Sequence, residues 1–252
     1  MDTAIKNSVL EKWNTHFHGV SLPVGVFYSD ELNGAEYLKK PAENSRGYTC
    51  IFAQMAKVHK GHSIAFDVNN LGCWGSVGTI FGGTYQEDQT VELLVDIEHF
   101  KKSREQVLAL HHTNPKANPT GRYLIMKPYN QLTEEDQPEI VIIFAKPDMI
   151  AVMHCLAGFD ETRIDNVIVP FGSGCEQLLS FAFNEAKQTN PRAILGGMDL
   201  AMRNCIKQDV LTFSITHSRF IEIVRNMDDS FLNTYIWKGL KSRTVGDKLI
   251  NA

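Results

Sequence analysis

Five cysteines in a chain of 252 residues pose the first chemical question, because three of them stand where a thiol becomes reactive. Cys50, Cys73 and Cys175 each fall at or just before an expected helix start. Unpaired first-turn amides and the positive end of the helix dipole favour a thiolate there, the species that binds metals and attacks electrophiles. Cys73 and Cys175 follow glycines, in Gly72-Cys73 and Gly174-Cys175, which leaves room for a bulky inorganic group. The expected chemistry is an iron–sulfur cluster or another thiophilic metal held by Cys50, Cys73 and Cys175. Their spacing contains none of the close CxxC pairs of zinc ribbons and ferredoxins, and packing is the common reason for a single buried cysteine. Cys155, beside Met153 and Leu156, and Cys205, after Met202, are expected in the core.

A second chemistry is open to the glycine turns. Gly72 and Gly75, with Gly78, Gly82 and Gly83 beyond them, follow a strand, and Gly172 and Gly174 follow another. Backbone amides at Gly72, Gly75, Gly172 and Gly174 could meet a phosphate or carboxylate, which makes a small anionic molecule the alternative ligand. The stretch is neither GxGxxG nor a P-loop. The histidine pairs His16/His18, His59/His62 and His111/His112 make no HExxH arrangement and read as surface residues, whereas His154 beside Cys155 is a candidate ligand. A cysteine nucleophile would need a histidine base beside it, and no spacing pairs the two. The residues therefore leave open whether the protein is an enzyme or a binding module.

The elements that must position these groups follow from periodicity. Ile5, Val9, Leu10 and Trp13 share a helical face, and residues 22–28 (LPVGVFY) read as a buried strand. Thr49 is placed to cap a helix with Ile51, Phe52, Met55 and Val58 on one face, ending at Gly61. Residues 62–68 form a strand that turns through 69–72 into Cys73 and a short helix, and residues 97–112 read as a half-exposed helix. Residues 113–121 (TNPKANPTG) are the strongest break in the chain. Strands are expected at 122–127, 139–145, 166–171 and 210–215, a further element of unassigned type at 192–195, and helices from Pro147, from Cys175, and over 200–204, 217–226 and 229–240. The fold class is α/β or α+β: a mixed sheet with helices packed on it, in a single compact domain. The break suggests two similar halves, 1–112 and 122–252. Val24, Val26, Phe52, Val141, Ile143, Val167 and Val169 are the expected core.

Composition narrows the partners. With 43% hydrophobic and 21% charged residues the chain is that of a folded globular protein, and 29 acidic against 25 basic residues leave a net charge of -4. No global positive field recruits a nucleic-acid backbone. The longest apolar runs fall well short of the roughly 20 residues that cross a bilayer, so no membrane partner is expected. Residues 1–13 carry Asp2, Lys6, Glu11 and Lys12 and lack the continuous apolar stretch of a signal peptide. A cytosolic location follows as the expectation, and with it reduced thiols rather than disulfides.

Several short motifs resemble those of the uncharacterised domain-of-unknown-function 169 family: Leu22-Pro23-Val24-Gly25-Val26; Cys50 with Ala53, Ala56 and Gly61; residues 69–75 around Cys73; the Pro147 helix; the Gly174-Cys175 turn; and residues 197–203. The resemblance runs from about residue 22 to residue 227. It implies recurrent cysteines at the positions of Cys50, Cys73 and Cys175, and hence a common role for them, but it brings no activity with it. The family commonly has proline and glycine after its second cysteine, where this chain has Trp74-Gly75, which would reshape the rim of any site.

Overall fold

Alternating apolar residues along extended segments produce one continuous sheet here rather than two. In the computed structural model, which describes residues 1–39, 50–83 and 86–244, eight strands form a mixed sheet in the order β2-β3-β4-β1-β5-β8-β7-β6. They are β1 (Val24–Ser29), β2 (Glu36–Tyr37), β3 (Ile64–Phe66), β4 (Tyr123–Pro128), β5 (Ile140–Ala145), β6 (Val167–Ile168), β7 (Ala193–Gly196) and β8 (Leu211–Thr216). β1 and β5 pair antiparallel at the centre, Gly25 opposite Val141. Outward from that seam the pairing is the same on both sides. β1 is antiparallel to β4, β4 to β3, and β3 is parallel to β2; β5 is antiparallel to β8, β8 to β7, and β7 is parallel to β6. The break at 113–121 precedes β4 and so lies within the first set of four strands.

Helices cover both faces of the sheet, as central strands that are buried on both sides require. All six residues of β5 are buried, with Ile140, Ile142 and Phe144 on one face and Val141, Ile143 and Ala145 on the other. On the second face pack α1 (Thr3–Phe17), α6 (Pro147–Ala157), α8 (His217–Asn226) and α9 (Tyr235–Thr244), around Trp13, Met153, Phe220 and Trp237. The first face carries α2 (Ile51–His59), α3 (Trp74–Phe81) and a helix that opens at Cys175, passes through a π-helical turn (Glu176–Ser180) and continues as α7 (Phe181–Glu185). The expected helix over 97–112 begins later, as α5 (Arg104–Thr113) after Ser103, and before it a stretch with no expected element forms a short α4 (Glu87–Val91) that runs into a π segment (Glu92–Ile97).

Val24, Val26, Phe52, Val141 and Ile143 are buried as their periodicity requires. The last two of the expected core are not. Val167 is only half-buried and Val169 is 55% exposed, because β6 is a two-residue edge strand with a neighbour on one side only. Two histidines read as surface residues are drawn inward instead: His16 is buried against the Asp228 carboxylate at 3.0 Å, and His59 is half-buried with its ring edge-on to Phe144. Burial holds His59 down to about 4, so its ring is neutral at ordinary pH. No helix among the described residues is long and apolar enough to cross a membrane.

Candidate functional site

The repeated pairing has a direct consequence for the cysteines. α2 connects the parallel pair β2 and β3, and the helix from Cys175 connects the parallel pair β6 and β7, so Cys50 and Cys175 hold corresponding places in the two sets of strands. Each connecting helix leans across the central seam. Phe52 of α2 packs edge-on to Phe144 of β5, with centroids 6.1 Å apart, while Phe183 of α7 lies 5.0 Å from Tyr28 of β1. The two helix starts therefore approach one another, close enough for the Cys50 and Cys175 thiols to shift each other's ionisation.

Local sequence sets each thiol. Cys50 is the N-cap of α2 with an extended backbone, and Cys73 is the N-cap of α3; neither side chain makes a cap bond to its own helix. An Asx turn positions Cys73: the Asp67 carboxylate accepts the amides of Asn69 (2.8 Å) and Asn70 (3.2 Å), and the Asn70 side chain donates to the Leu38 carbonyl at 2.8 Å. α3 then ends at Gly82 in the left-handed conformation (φ 67°) that glycine adopts without strain. The Cys175 helix begins with a capping box. The Ser173 amide donates to Glu176 Oε2 at 2.7 Å, and the Glu176 amide to Ser173 Oγ at 3.4 Å. The sequence signal for it, S-x-x-E, is present in Ser173-Gly174-Cys175-Glu176.

Around the pair, Ser76 of α3 donates its hydroxyl to Cys175 Sγ at 3.2 Å, and Cys50 Sγ lies 3.9 Å from Met202 Sδ. Gly174 permits this approach: a Cβ there would stand 2.6 Å from Met202 Cγ and 3.3 Å from the Phe52 ring. Met202 rides on a 3-10 turn (Leu200–Cys205) capped by Asp199, whose carboxylate also accepts the Gly174 amide at 2.7 Å. Arg203 clamps the same turn by donating to the carbonyls of Gly197, Val210, Lys207 and Gln208.

Electrostatically the pair is unequal. The Cys50 thiol is held down to about 6, chiefly because Cys175 donates to its anion and also because the Phe52 and Ala53 amides face it, against the opposing effects of burial and of Asp199. The Cys175 thiol is pushed well above its ordinary range, first by the adjacent Cys50 and then by burial; Cys73 is close enough to add to the effect. At neutral pH Cys50 is the thiolate and Cys175 its thiol donor. We expect thiolate absorbance, taken as the difference between the parent and Cys50→Ser, to rise with pH through a midpoint near 6. Cys175→Ala removes the donor and should move that midpoint up toward the ordinary thiol range. A midpoint already near 9 in the parent would contradict the assigned contact.

The other cysteines separate from this group. Cys205 is half-buried near Cys50, and Cys155 is exposed, on the helix face turned away from Met153 and Leu156, so its expected place in the core is corrected. His154 is exposed beside it on α6, which packs on the opposite face of the sheet from the thiols. Of the glycines, Gly72 is exposed in the turn before Cys73, and Gly75 faces Cys73 Sγ. Gly172 is closed in by the Phe181 ring, 2.8 Å from where its Cβ would stand. With the Gly174 amide on Asp199 and the Ser173 amide on Glu176, this helix start is already satisfied by carboxylates from within the chain. Among the described residues, no three His, Cys, Asp or Glu side chains converge as they lie into a group that could hold a metal ion.

The fold and site define a mixed α/β protein with a thiol pair where two connecting helices meet. The chain belongs to the domain-of-unknown-function 169 family, described as an uncharacterised ArCR family, whose profile it matches over residues 18–226. Neither the curated proteins nor the solved structures compared with it include a match.

Proposed function

We propose that the protein binds a thiophilic metal ion or an iron–sulfur centre through Cys50, Cys73 and Cys175 in a reducing cytosol, with three thiolates leaving a coordination position for a small substrate. The observation that carries this reading is the approach of the Cys50 and Cys175 helix starts, 125 positions apart in sequence, over Met202, whose Sδ lies 3.9 Å from Cys50 Sγ and whose side chain packs against Gly174. Two further features support it. Ser76 joins the helix that begins at Cys73 to Cys175, and the Cys175 helix opens in a π turn, a distortion frequent at functional sites. Cys73, whose charge reaches Cys175, is the third ligand of the proposed site. A small anionic ligand is less well served, since carboxylates occupy the Ser173 and Gly174 amides.

The test is anaerobic loading with ferrous iron and sulfide, and separately with zinc. Serine is close to cysteine in size but a far poorer soft-metal ligand. Each of Cys50→Ser, Cys73→Ser and Cys175→Ser should therefore weaken binding at least by the roughly 10–100-fold that loss of a supporting outer-shell group costs. Cys155→Ser should change nothing. A parent that takes up neither iron–sulfur nor zinc nor a softer ion, or serine variants that bind as well as the parent, would reduce the trio to packing residues.

A further inference from the structure

Sulfur donors around Cys50 are not confined to cysteine. Met202 Sδ stands 3.9 Å from Cys50 Sγ, and its side chain lies against Gly174, the residue before Cys175. Two sulfurs bound to one ion at about 2.3 Å in a trigonal plane are separated by about 4 Å. The observed separation therefore already suits a shared ion. Met202 is also held in place more firmly than packing alone requires, on a turn capped by Asp199 and clamped through four carbonyls by Arg203. A thioether is neutral and soft. Beside thiolates it selects a soft monovalent ion such as copper(I), and it adds little for harder cations that prefer oxygen or imidazole.

We infer that Met202 is a metal ligand, and that with Cys50 and Cys175 it forms an all-sulfur site for copper(I) or its analogue silver(I), any proton still held by the thiols passing to solvent on binding. This rests on the reading that these thiols hold a metal, and it identifies the class of ion. Met202 carried no signal in the sequence, since a methionine on an expected short helix reads as packing.

The full-length protein, kept reduced and anaerobic, would be titrated with copper(I) supplied as a chromophoric chelate, and the bound ion examined by X-ray absorption. We expect one copper per chain drawn from the chelate and a shell of sulfur only, at about 2.3 Å. Met202→Leu keeps the volume and is among the best tolerated of apolar swaps. It should lower copper affinity tenfold or more and remove one sulfur from the shell, with the melting curve and any zinc or iron–sulfur uptake unchanged. Copper bound equally tightly by Met202→Leu, with an unaltered shell, would overturn the role of Met202. Uptake of zinc or iron–sulfur but not of copper would overturn the inference while leaving the thiol site standing. Failure to bind any of the three would overturn both.

Discussion

Replacing Lys127 by methionine should lower folding stability by about 3–5 kcal/mol, the usual consequence of removing one partner from a buried ion pair. Lys127 lies on β4 with its ammonium inside the protein, donating to Asp136 Oδ1 at 3.0 Å, to Oδ2 at 2.8 Å and to the Asn33 carbonyl. Asp136 is fully buried and also accepts the Thr133 amide at 2.7 Å, while its carbonyl takes a hydrogen bond from the N-terminal ammonium of Met1. Methionine fills the space of the lysine stem and supplies no charge, so the carboxylate is left buried and uncompensated. Urea unfolding of the parent, of Lys127→Met and of the double variant with Asp136→Asn checks the point. The double variant should lose much less than the sum of the two single losses, because the pair acts as a unit. Additive losses, or a Lys127→Met loss under about 1 kcal/mol, would show that water reaches the pair.

Phe144→Ala is expected to cost about 3–5 kcal/mol and, unlike other core truncations, to disturb the thiols. The Phe144 ring is buried edge-on between Phe52, 6.1 Å away, and His59, 4.9 Å away, so it holds α2 at both ends of its buried face. Phe52 in turn sits over Gly174. A cavity beneath α2 should loosen the contact between Cys50 and Cys175 and raise the midpoint for Cys50 ionisation above about 6. Ile143→Ala is the matched control. Ile143 is the neighbouring residue of β5 but faces α1, α6 and α8, so its loss should cost about 2–5 kcal/mol and leave the thiol midpoint in place. Equal shifts in both variants would mean that the midpoint reports global loosening rather than the seating of α2.

Much of this protein is decided within short stretches of chain, and those parts could be read directly. Residues 140–145 admit one reading because six apolar residues in a row, bounded by Glu139 and Lys146, suit a strand buried on both faces. Cys50 and Cys73 stand at helix starts because an apolar helical period begins just after each, although Cys50 takes the N-cap place expected of Thr49, which lies outside the described residues, and Gly61 and Gly82 follow those helices with positive φ. Ser173 and Glu176 are another local device, legible in their spacing alone. The family motifs are of the same kind, since each spans only a few neighbouring residues.

What joined these pieces was long-range. Strand order depends on which pairings bury the most surface once loops close, and no local pattern states that β1 pairs with β5 or that the pairing repeats on either side of that seam. That order alone brings Cys50 to Cys175, Ser76 to Cys175 and Met202 to Cys50. The misread residues have the same cause. Val169 is exposed because β6 became an edge strand, His59 is half-buried because Phe144 arrived beside it from β5, and Cys155 faces outward because neighbours from elsewhere in the chain cover the other side of α6. Residue types and helix starts are thus properties of the sequence by itself, since they depend on bonds within a few residues. Which sulfurs stand near one another was decided only by the tertiary structure, because burial and contact depend on surfaces brought from distant parts of the chain.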